Sequence, residues 1–419
     1  MKKLLILSGR ILGVAALVGA LGACKSLSST LTPQAPTANS FVGSETCGTC
    51  HADLYNFFLL SAHPHVARTV ADAANAPSGG LPEVPLDEFP GIGQTGSGVG
   101  TASDLLLVIG GINWEAQFVN AGGFVVEGPQ AQFTLNSSSW EQYGSSTWKG
   151  ADQAYDYATC LRCHTTGASP NGHPDGYPQI NGSWKYLGIQ CERCHGMGFR
   201  HVNYREPPVN LQPIATCQQC HNENTTSMTI LASGNFIAGG DQYNEFRNNA
   251  MSSAQGMTCV SCHNPHKRAK LDVGNWTCKS CHVEKAASYL GSMHDAANVG
   301  CIDCHMAETG VEGAPLFENP AKGTFRGDLK SHLLRITTDP NYLTFMANPD
   351  TNTKADWPLI MNTGKDNRGI AGPFITLGYA CGKCHQNNTP ALFGQAIANH
   401  EGDVHTLSTA DAPAGWVTP

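Results

Sequence analysis

A five-residue pattern, Cys-x-x-Cys-His, recurs eight times in this 419-residue chain and uses sixteen of its seventeen cysteines. Two thiols three residues apart, followed at once by a histidine, form the attachment signature of c-type haem. The thiols bond to the two vinyl groups of the porphyrin, and the histidine gives its imidazole nitrogen to the iron. The eight copies are Cys47–His51, Cys160–His164, Cys191–His195, Cys217–His221, Cys259–His263, Cys278–His282, Cys301–His305 and Cys381–His385.

Each copy predicts three protein bonds to one haem, so the cofactors expected are eight covalently bound haems c. The predicted covalent attachments are Cys47, Cys50, Cys160, Cys163, Cys191, Cys194, Cys217, Cys220, Cys259, Cys262, Cys278, Cys281, Cys301, Cys304, Cys381 and Cys384. The predicted proximal iron ligands are His51, His164, His195, His221, His263, His282, His305 and His385.

Other uses of paired cysteines fit the pattern less well. Structural zinc sites also use Cys-x-x-Cys, but zinc does not need a histidine directly after the second cysteine, as all eight copies have. A disulfide framework agrees with the cysteine count alone, and a thioredoxin-like motif needs one such pair, not eight. Haem is therefore the favoured interpretation.

Nine of the seventeen histidines lie outside the motifs, enough for a second axial ligand on each predicted iron. Iron held by two histidines has no open position for substrate, and its potential is lower than with a Met ligand, which suits electron transfer. Met197 is a weak candidate for such a ligand. His173, in a turn-rich loop, is expected to be the spare together with His65. The predicted pool of distal ligands is His63, His65, His201, His266, His294, His332, His400 and His405.

The composition predicts few long regular elements. Charged residues make up 14% of the chain, against about 25% in typical domains, and 46 Gly and 24 Pro are present. The expected fold is mainly irregular with short α-helices, wrapped around the haems. One stretch has the pattern of β-strands: apolar runs separated by Gly-rich turns predict a small β-hairpin or meander near residues 105–135. The six haems predicted within 160–305 must lie very close together.

The N-terminus predicts export. Residues 1–23 have basic residues followed by a short apolar core, as in a signal peptide. Cys24, in Leu-Gly-Ala-Cys, matches the lipobox of bacterial lipoproteins, although a conventional cleaved signal is the alternative. Lys25 then favours an outer-membrane lipoprotein, facing either the cell surface or the periplasm. The predicted partners include the membrane, through an N-terminal lipid.

The net charge bears on the expected partners, and the motif positions predict how the chain divides into units. The net charge is −8. Loss of residues 1–23 would make it more negative, because that segment has three basic residues and no acidic ones. Nucleic acid is therefore not expected as a partner. The expected units are a signal peptide (1–23), a lipid-anchored linker (24–40), a first haem unit (41–75), a loop plus β insertion (76–159), a core with haems two to seven (160–305) and a C-terminal unit with haem eight (306–419).

Several segments resemble the multihaem cytochromes c related to the tetrahaem electron acceptor of hydroxylamine oxidoreductase. Two others look like the outer-surface lipoprotein cytochromes of metal-reducing bacteria. The resemblance covers most of residues 41–385 and implies an irregular, helix-containing multihaem wrap whose role is electron transfer. The matching segments are residues 41–46, 61–63, 108–133, 160–167 and 188–196 with His201 for the first group, and 259–266 and 327–332 for the second.

Three functions are compatible with these features. The favoured one is a conduit that passes electrons to another cytochrome, a porin–cytochrome component or an extracellular acceptor such as a metal oxide. The alternative is an octahaem redox enzyme of the nitrite, hydroxylamine or tetrathionate type, which needs one haem without a distal ligand. A filament-forming subunit is the third. The conduit hypothesis assigns no catalytic residue.

Overall fold

The computed structural model describes most of the chain after its N-terminal segment. The described residues are 39–74, 82, 84–207, 213–222, 230–233, 235–249, 251, 256–268, 278–342, 345–346, 369–371, 374–400 and 404–418. The predicted signal peptide, Cys24 and the predicted linker up to residue 38 lie outside these ranges.

The α-helices of the described residues are short, which agrees with the Gly- and Pro-rich composition. The longest begins at Pro390, a residue whose fixed φ suits the first helical position, and the Thr389 side chain accepts a hydrogen bond from the Leu392 N–H. They are α1 (Ser44–Gly48), α2 (Ala52–Leu59), α3 (Val70–Ala74), α4 (Arg162–His164), α5 (Cys191–His195), α6 (Phe199–Tyr204), α7 (Pro213–Cys217), α8 (Gln242–Arg247), α9 (Val283–Tyr289), α10 (Met293–Ala296), α11 (Cys301–His305), α12 (Leu377–Ala380) and α13 (Pro390–Asn399).

An antiparallel five-stranded sheet contains the predicted meander. Its strands, in spatial order, are β1 (Ala67–Thr69), β2 (Leu105–Gly110), β3 (Glu115–Asn120), β4 (Gly128–Thr134) and β5 (Ser139–Tyr143). Side chains alternate between its faces, so neighbouring residues of one strand enter different cores. Val108 and Phe118 pack in one core, whereas Leu107 and Val119 pack with Tyr155 and Leu161 beside the second Cys-x-x-Cys-His motif.

A second five-stranded sheet was not predicted from the sequence. It is built from very short strands, most of them far apart in the chain. Their spatial order is β10 (Gly310–Val311), β9 (Phe236–Ala238), β8 (Ile230–Ser233), β14 (Gly369–Ala371) and β13 (Phe345–Met346). Its core includes Ile237, Leu333 and Ile375 and lies against Cys381 of the last motif. The remaining strands are β6 (Thr165–Thr166), β7 (Tyr186–Leu187), β11 (Phe317–Asn319) and β12 (Thr324–Arg326).

The predicted fold class is confirmed. The chain is largely irregular, with short helices and small sheets, and a β-meander lies where the alternating apolar pattern predicts it. None of the helices in the described ranges has the length and apolar character needed to cross a bilayer.

Candidate functional site

The Cys-x-x-Cys-His motifs fold as single helical turns. In five of them the histidine N–H donates a hydrogen bond to the carbonyl of the first cysteine at 2.9–3.0 Å, as from His51 to Cys47 and from His385 to Cys381. Residues i, i+3 and i+4 share one face of a helix. Each turn therefore presents both thiols and the imidazole to the same side, which is the arrangement that a porphyrin attached at one edge requires.

Six of the motif histidines face a histidine from elsewhere in the described part of the chain. All six partners belong to the predicted distal pool. The pairs, with their ring-centroid separations, are His51–His201 at 6.3 Å, His63–His221 at 6.5 Å, His195–His266 at 6.1 Å, His263–His332 at 5.8 Å, His294–His385 at 6.5 Å and His305–His405 at 5.9 Å.

These separations match the space that one iron needs between two imidazoles. A ligating imidazole nitrogen lies about 2 Å from its metal and about 1.1 Å from its own ring centre, so two imidazoles on opposite sides of one iron have centroids about 6.2 Å apart. All six observed values fall between 5.8 and 6.5 Å. The residues present therefore fit six irons that each have two axial histidines.

Hydrogen bonds hold several of these rings by Nδ1. His305 Nδ1 lies 2.9 Å from the Leu334 carbonyl oxygen, and His201 Nδ1 lies 2.8 Å from that of Glu206. His63 and His164 make similar contacts with the carbonyl oxygens of Pro265 and Val66. A bond at Nδ1 fixes the ring orientation and leaves Nε2 for a metal.

Burial favours the neutral, ligating form of many of these rings. It lowers the pKa of His332 to about 3, with the neighbouring rings of His263 and His221 adding to the effect. Burial likewise lowers the pKa of His63, His164, His195, His221, His266, His294, His305 and His385. A metal binds the deprotonated imidazole nitrogen, so this electrostatic environment favours ligation.

Two motif histidines, His164 and His282, have no facing histidine among the described residues. His164 instead has the ring of Tyr155 at 6.4 Å, inclined by 63°. Tyr155 is only 1% exposed, and its hydroxyl has no hydrogen-bond partner in the described part of the chain. Sequence reasoning missed this residue because a tyrosine five positions before a cysteine carries no recognisable signal.

The other histidines outside the motifs are engaged locally. His65 Nε2 lies 2.8 Å from the Leu59 carbonyl oxygen, and His173 Nδ1 lies 3.1 Å from that of Pro174. His400 has contacts at both ring nitrogens, to the Thr406 hydroxyl at 2.7 Å and to the Asp411 carboxylate at 3.1 Å. The structure therefore brings neither His65 nor His400, both members of the predicted pool, opposite a motif histidine.

Cysteines of different motifs contact one another. Thiols of different motifs lie close enough to interact in four pairs: Cys47 and Cys191, Cys163 and Cys220, Cys217 and Cys259, and Cys278 and Cys301. Electrostatic interactions link Cys194 to Cys217 and Cys220, Cys262 to Cys281, and Cys304 to Cys384. Since each sulfur would carry a porphyrin edge, these contacts bring the motifs of neighbouring haem sites edge to edge.

One buried carboxylate joins the first motif to the third. Glu192 is 4% exposed, and its oxygens accept hydrogen bonds from the N–H groups of Val42, Gly43 and Gly198 at 2.7–3.1 Å. The Ser44 hydroxyl donates to Gln190 and accepts from the Cys191 N–H. The segment before the first motif is thereby fixed to the helix that carries the third.

Comparisons with known proteins agree with this site. The model of the cytochrome c3 family matches residues 183–283, and that of cytochrome c554 and c-prime matches residues 129–196. The dissimilatory sulfite reductase MccA of Wolinella succinogenes is 23% identical over 65% of this chain and 48% of its own length. The multiheme cytochrome MtrA of Shewanella baltica is 27% identical over 42% of this chain and 51% of its own length. The C-type polyheme cytochrome OmcB of Geobacter sulfurreducens is 22% identical over 35% of this chain and 19% of its own length.

Solved structures share the fold at low sequence identity. The octaheme sulfite reductase MccA of Wolinella succinogenes has a TM-score of 0.54 at 16% identity, over 82% of this chain and 65% of that chain. The outer cell wall cytochrome OcwA has a TM-score of 0.52 at 17% identity, over 85% of this chain and 86% of that chain. This chain spans about half or less of the length of the curated relatives it matches.

Helical Cys-x-x-Cys-His turns with imidazoles spaced for iron define a protein that binds haem covalently, a c-type cytochrome. With the family models and relatives that match, they identify the chain as a multihaem c-type cytochrome, and the solved structures show the shared fold. Its cofactor is covalently bound haem c, and electron transfer is the function that this membership supports.

Proposed function

We propose that the chain binds eight haems c and carries electrons through closely spaced irons, six of which have two axial histidines. The observation that carries this proposal is the set of six histidine pairs at 5.8–6.5 Å. When bound, each haem supplies one-electron redox chemistry. The protein fixes both imidazoles of each pair, which favours little change of geometry on reduction.

The contacts between cysteines support an order for the haem sites. Numbered by motif along the chain, the first site adjoins the third through Cys47 and Cys191, and the third adjoins the fourth through Cys194 and Cys217. The remaining contacts extend this run from the fourth through the fifth, sixth and seventh sites to the eighth. The second site branches from the fourth through Cys163 and Cys220.

The same proposal places the protein outside the cytoplasm, as an outer-membrane lipoprotein anchored at Cys24 and exposed at the cell surface. Covalent haem attachment and the N-terminal sequence support export, and the structural neighbour OcwA is named as an outer cell wall cytochrome. The proposed electron acceptor is a metal oxide or a partner cytochrome. Globomycin, which blocks lipoprotein signal cleavage, should cause the uncleaved precursor to accumulate; unchanged processing would contradict the lipid anchor.

Haem content and ligation test the core of this proposal. Intact mass spectrometry of the exported protein should give the polypeptide mass plus eight haems. Near-infrared magnetic circular dichroism of the oxidised protein should show the charge-transfer band of bis-histidine haem with an intensity equal to six haems. Fewer than eight haems, or an intensity well below six, would contradict it.

A redox enzyme is the second candidate, and one observation favours it. His164 faces no histidine, and the buried Tyr155 beside it has a hydroxyl without a partner. This chain can therefore hold a haem whose distal side is open to a small ligand. The structural neighbour MccA is named as a sulfite reductase. Steady-state reduction of sulfite, nitrite or hydroxylamine with a viologen donor would support this function, and no turnover with any of the three would count against it.

A further inference from the structure

Arg68, on β1, is a buried cation with an incomplete set of partners. Its side chain is 4% exposed. The Nη2 atom donates a hydrogen bond to the Gly110 carbonyl oxygen at 3.3 Å, while Nε and Nη1 have no partner in the described part of the chain. A guanidinium remains charged in proteins, and burying an uncompensated charge costs several kcal/mol. Arg68 therefore needs an anion.

The protein groups around Arg68 do not supply that anion directly. Asp72 is the acidic residue that interacts with Arg68 electrostatically, but no ion pair joins the two within the described residues. The Asp72 carboxylate instead accepts a hydrogen bond from the Thr69 hydroxyl at 2.6 Å. His65, the other titratable neighbour, carries either no charge or a positive one.

The structure provides space for an anion at this position. Arg68, His65, Asp72 and Gln190 line a cavity of about 320 Å³ that is partly open to solvent. The backbone makes room for the guanidinium at Gly111, whose φ is +77° and whose absent Cβ would lie 2.9 Å from Arg68 Nη2. A side chain at position 111 would push the guanidinium from its place.

We propose that this cavity is an anion-binding site in which Arg68 binds a carboxylate or a small oxyanion. A guanidinium binds such oxygens through charge-assisted hydrogen bonds, and the unpartnered Nε and Nη1 of Arg68 can each donate one. One source is a propionate of the haem proposed at the second motif, because Val66 contacts the proximal His164 and lies two residues from Arg68. The other source is a free oxyanion that enters the cavity. Only the first source rests on the proposed haem.

The Arg68→Gln variant of the full-length holoprotein distinguishes the two sources. If Arg68 binds a propionate, removing its charge favours the ferric state, so the potential of one haem falls and the melting temperature drops. Added sulfite or phosphate then changes neither property of the wild type. If Arg68 binds a free oxyanion, calorimetry shows saturable sulfite or phosphate binding to the wild type, weakened roughly tenfold or more in the variant by loss of a charge-assisted bond.

A matched control variant and a haem assay show whether an effect of Arg68→Gln comes from the anion site. Lys149→Gln also removes one positive charge, but Lys149 is exposed and already paired with Asp152, so neither haem potentials nor anion binding should change. The pyridine haemochrome assay shows whether each protein retains all its haems, which separates loss of a haem from loss of the anion site. Unchanged potentials, no anion binding to the wild type and a higher melting temperature for Arg68→Gln would together overturn the proposal.

Discussion

Single side chains fix the geometry of neighbouring haem motifs, and Glu192 is the clearest case. Glu192→Ala leaves the N–H groups of Val42, Gly43 and Gly198 without their acceptor. An unsatisfied buried donor costs about 1–3 kcal/mol, so we expect destabilisation of at least about 2 kcal/mol in chemical denaturation of the holoprotein. Asp152→Ala, which breaks an exposed ion pair, should change stability by less than about 1 kcal/mol. Equal effects of the two variants would contradict the anchoring role.

The proposed distal ligands give a second prediction for single residues. His266→Ala removes the imidazole that faces His195 at 6.1 Å, so one iron should change from low-spin to high-spin. Magnetic circular dichroism should record the loss of one bis-histidine haem per molecule. His173→Ala is the matched control, because that ring contacts only the adjacent Pro174 carbonyl among the described residues. A spectrum unchanged by His266→Ala would refute the assigned pair.

The chemistry of individual residues could be predicted from sequence only in part. The motif spacing alone identifies the sixteen cysteines and eight histidines, because their relation is local. The choice among the remaining histidines depends on which ring nitrogen is already hydrogen-bonded, as with His65 and His400. Tyr155 and Arg68 gave no signal, since their importance lies in burial and in missing partners.

At the scale of elements, strand β3 carries a buried acid whose ionisation opposes folding. Burial raises the pKa of Glu115 to about 9, and the carboxylates of Glu312 and Asp328 add to the shift. The folded chain therefore keeps this proton at pH values where the unfolded chain has released it. The stability that goes with the protonated Glu115 carboxyl is fully present below about pH 4.5 and is lost as the pH rises towards 9.

Glu115→Gln should remove this pH dependence. The melting temperature of the variant, relative to the wild type, should rise steadily between pH 5 and 8.5, because on the order of 1.4 kcal/mol accompanies each pKa unit. Glu141→Gln on β5, which removes a carboxylate that accepts a hydrogen bond from the Ser139 hydroxyl, is the matched control. A constant difference for Glu115→Gln would show that its carboxyl titrates normally in the folded protein.

Among the elements, the three central strands of the first sheet were predictable, whereas its two edge strands and the second sheet were not. The strands of the meander follow one another closely, and their apolar residues alternate around Gly-rich turns, so β2, β3 and β4 appear in the sequence pattern. The second sheet pairs segments as distant as β8 and β14 through strands of two to four residues. Such short strands have no periodicity, and only the tertiary fold brings them together.

At the scale of the whole molecule, distant segments of the chain complete six of the eight proposed haem sites. His63 from the first unit faces His221 of the fourth motif, and His405 near the C-terminus faces His305 of the seventh. The other four pairs likewise join a motif histidine to a histidine from another part of the chain. A residue close to its own motif cannot reach the opposite side of the same iron, so such exchange follows from the positions of these histidines along the chain.

The central claim is that six irons have two histidine ligands and that those at His164 and His282 do not. Electron paramagnetic resonance of the oxidised holoprotein, recorded with and without cyanide or nitrite, tests it most directly. We predict low-spin signals that are unmoved by added ligand, together with a high-spin signal that changes when the ligand is added. Low-spin signals alone, unaffected by either ligand, would mean that all eight irons are fully coordinated and would contradict the account.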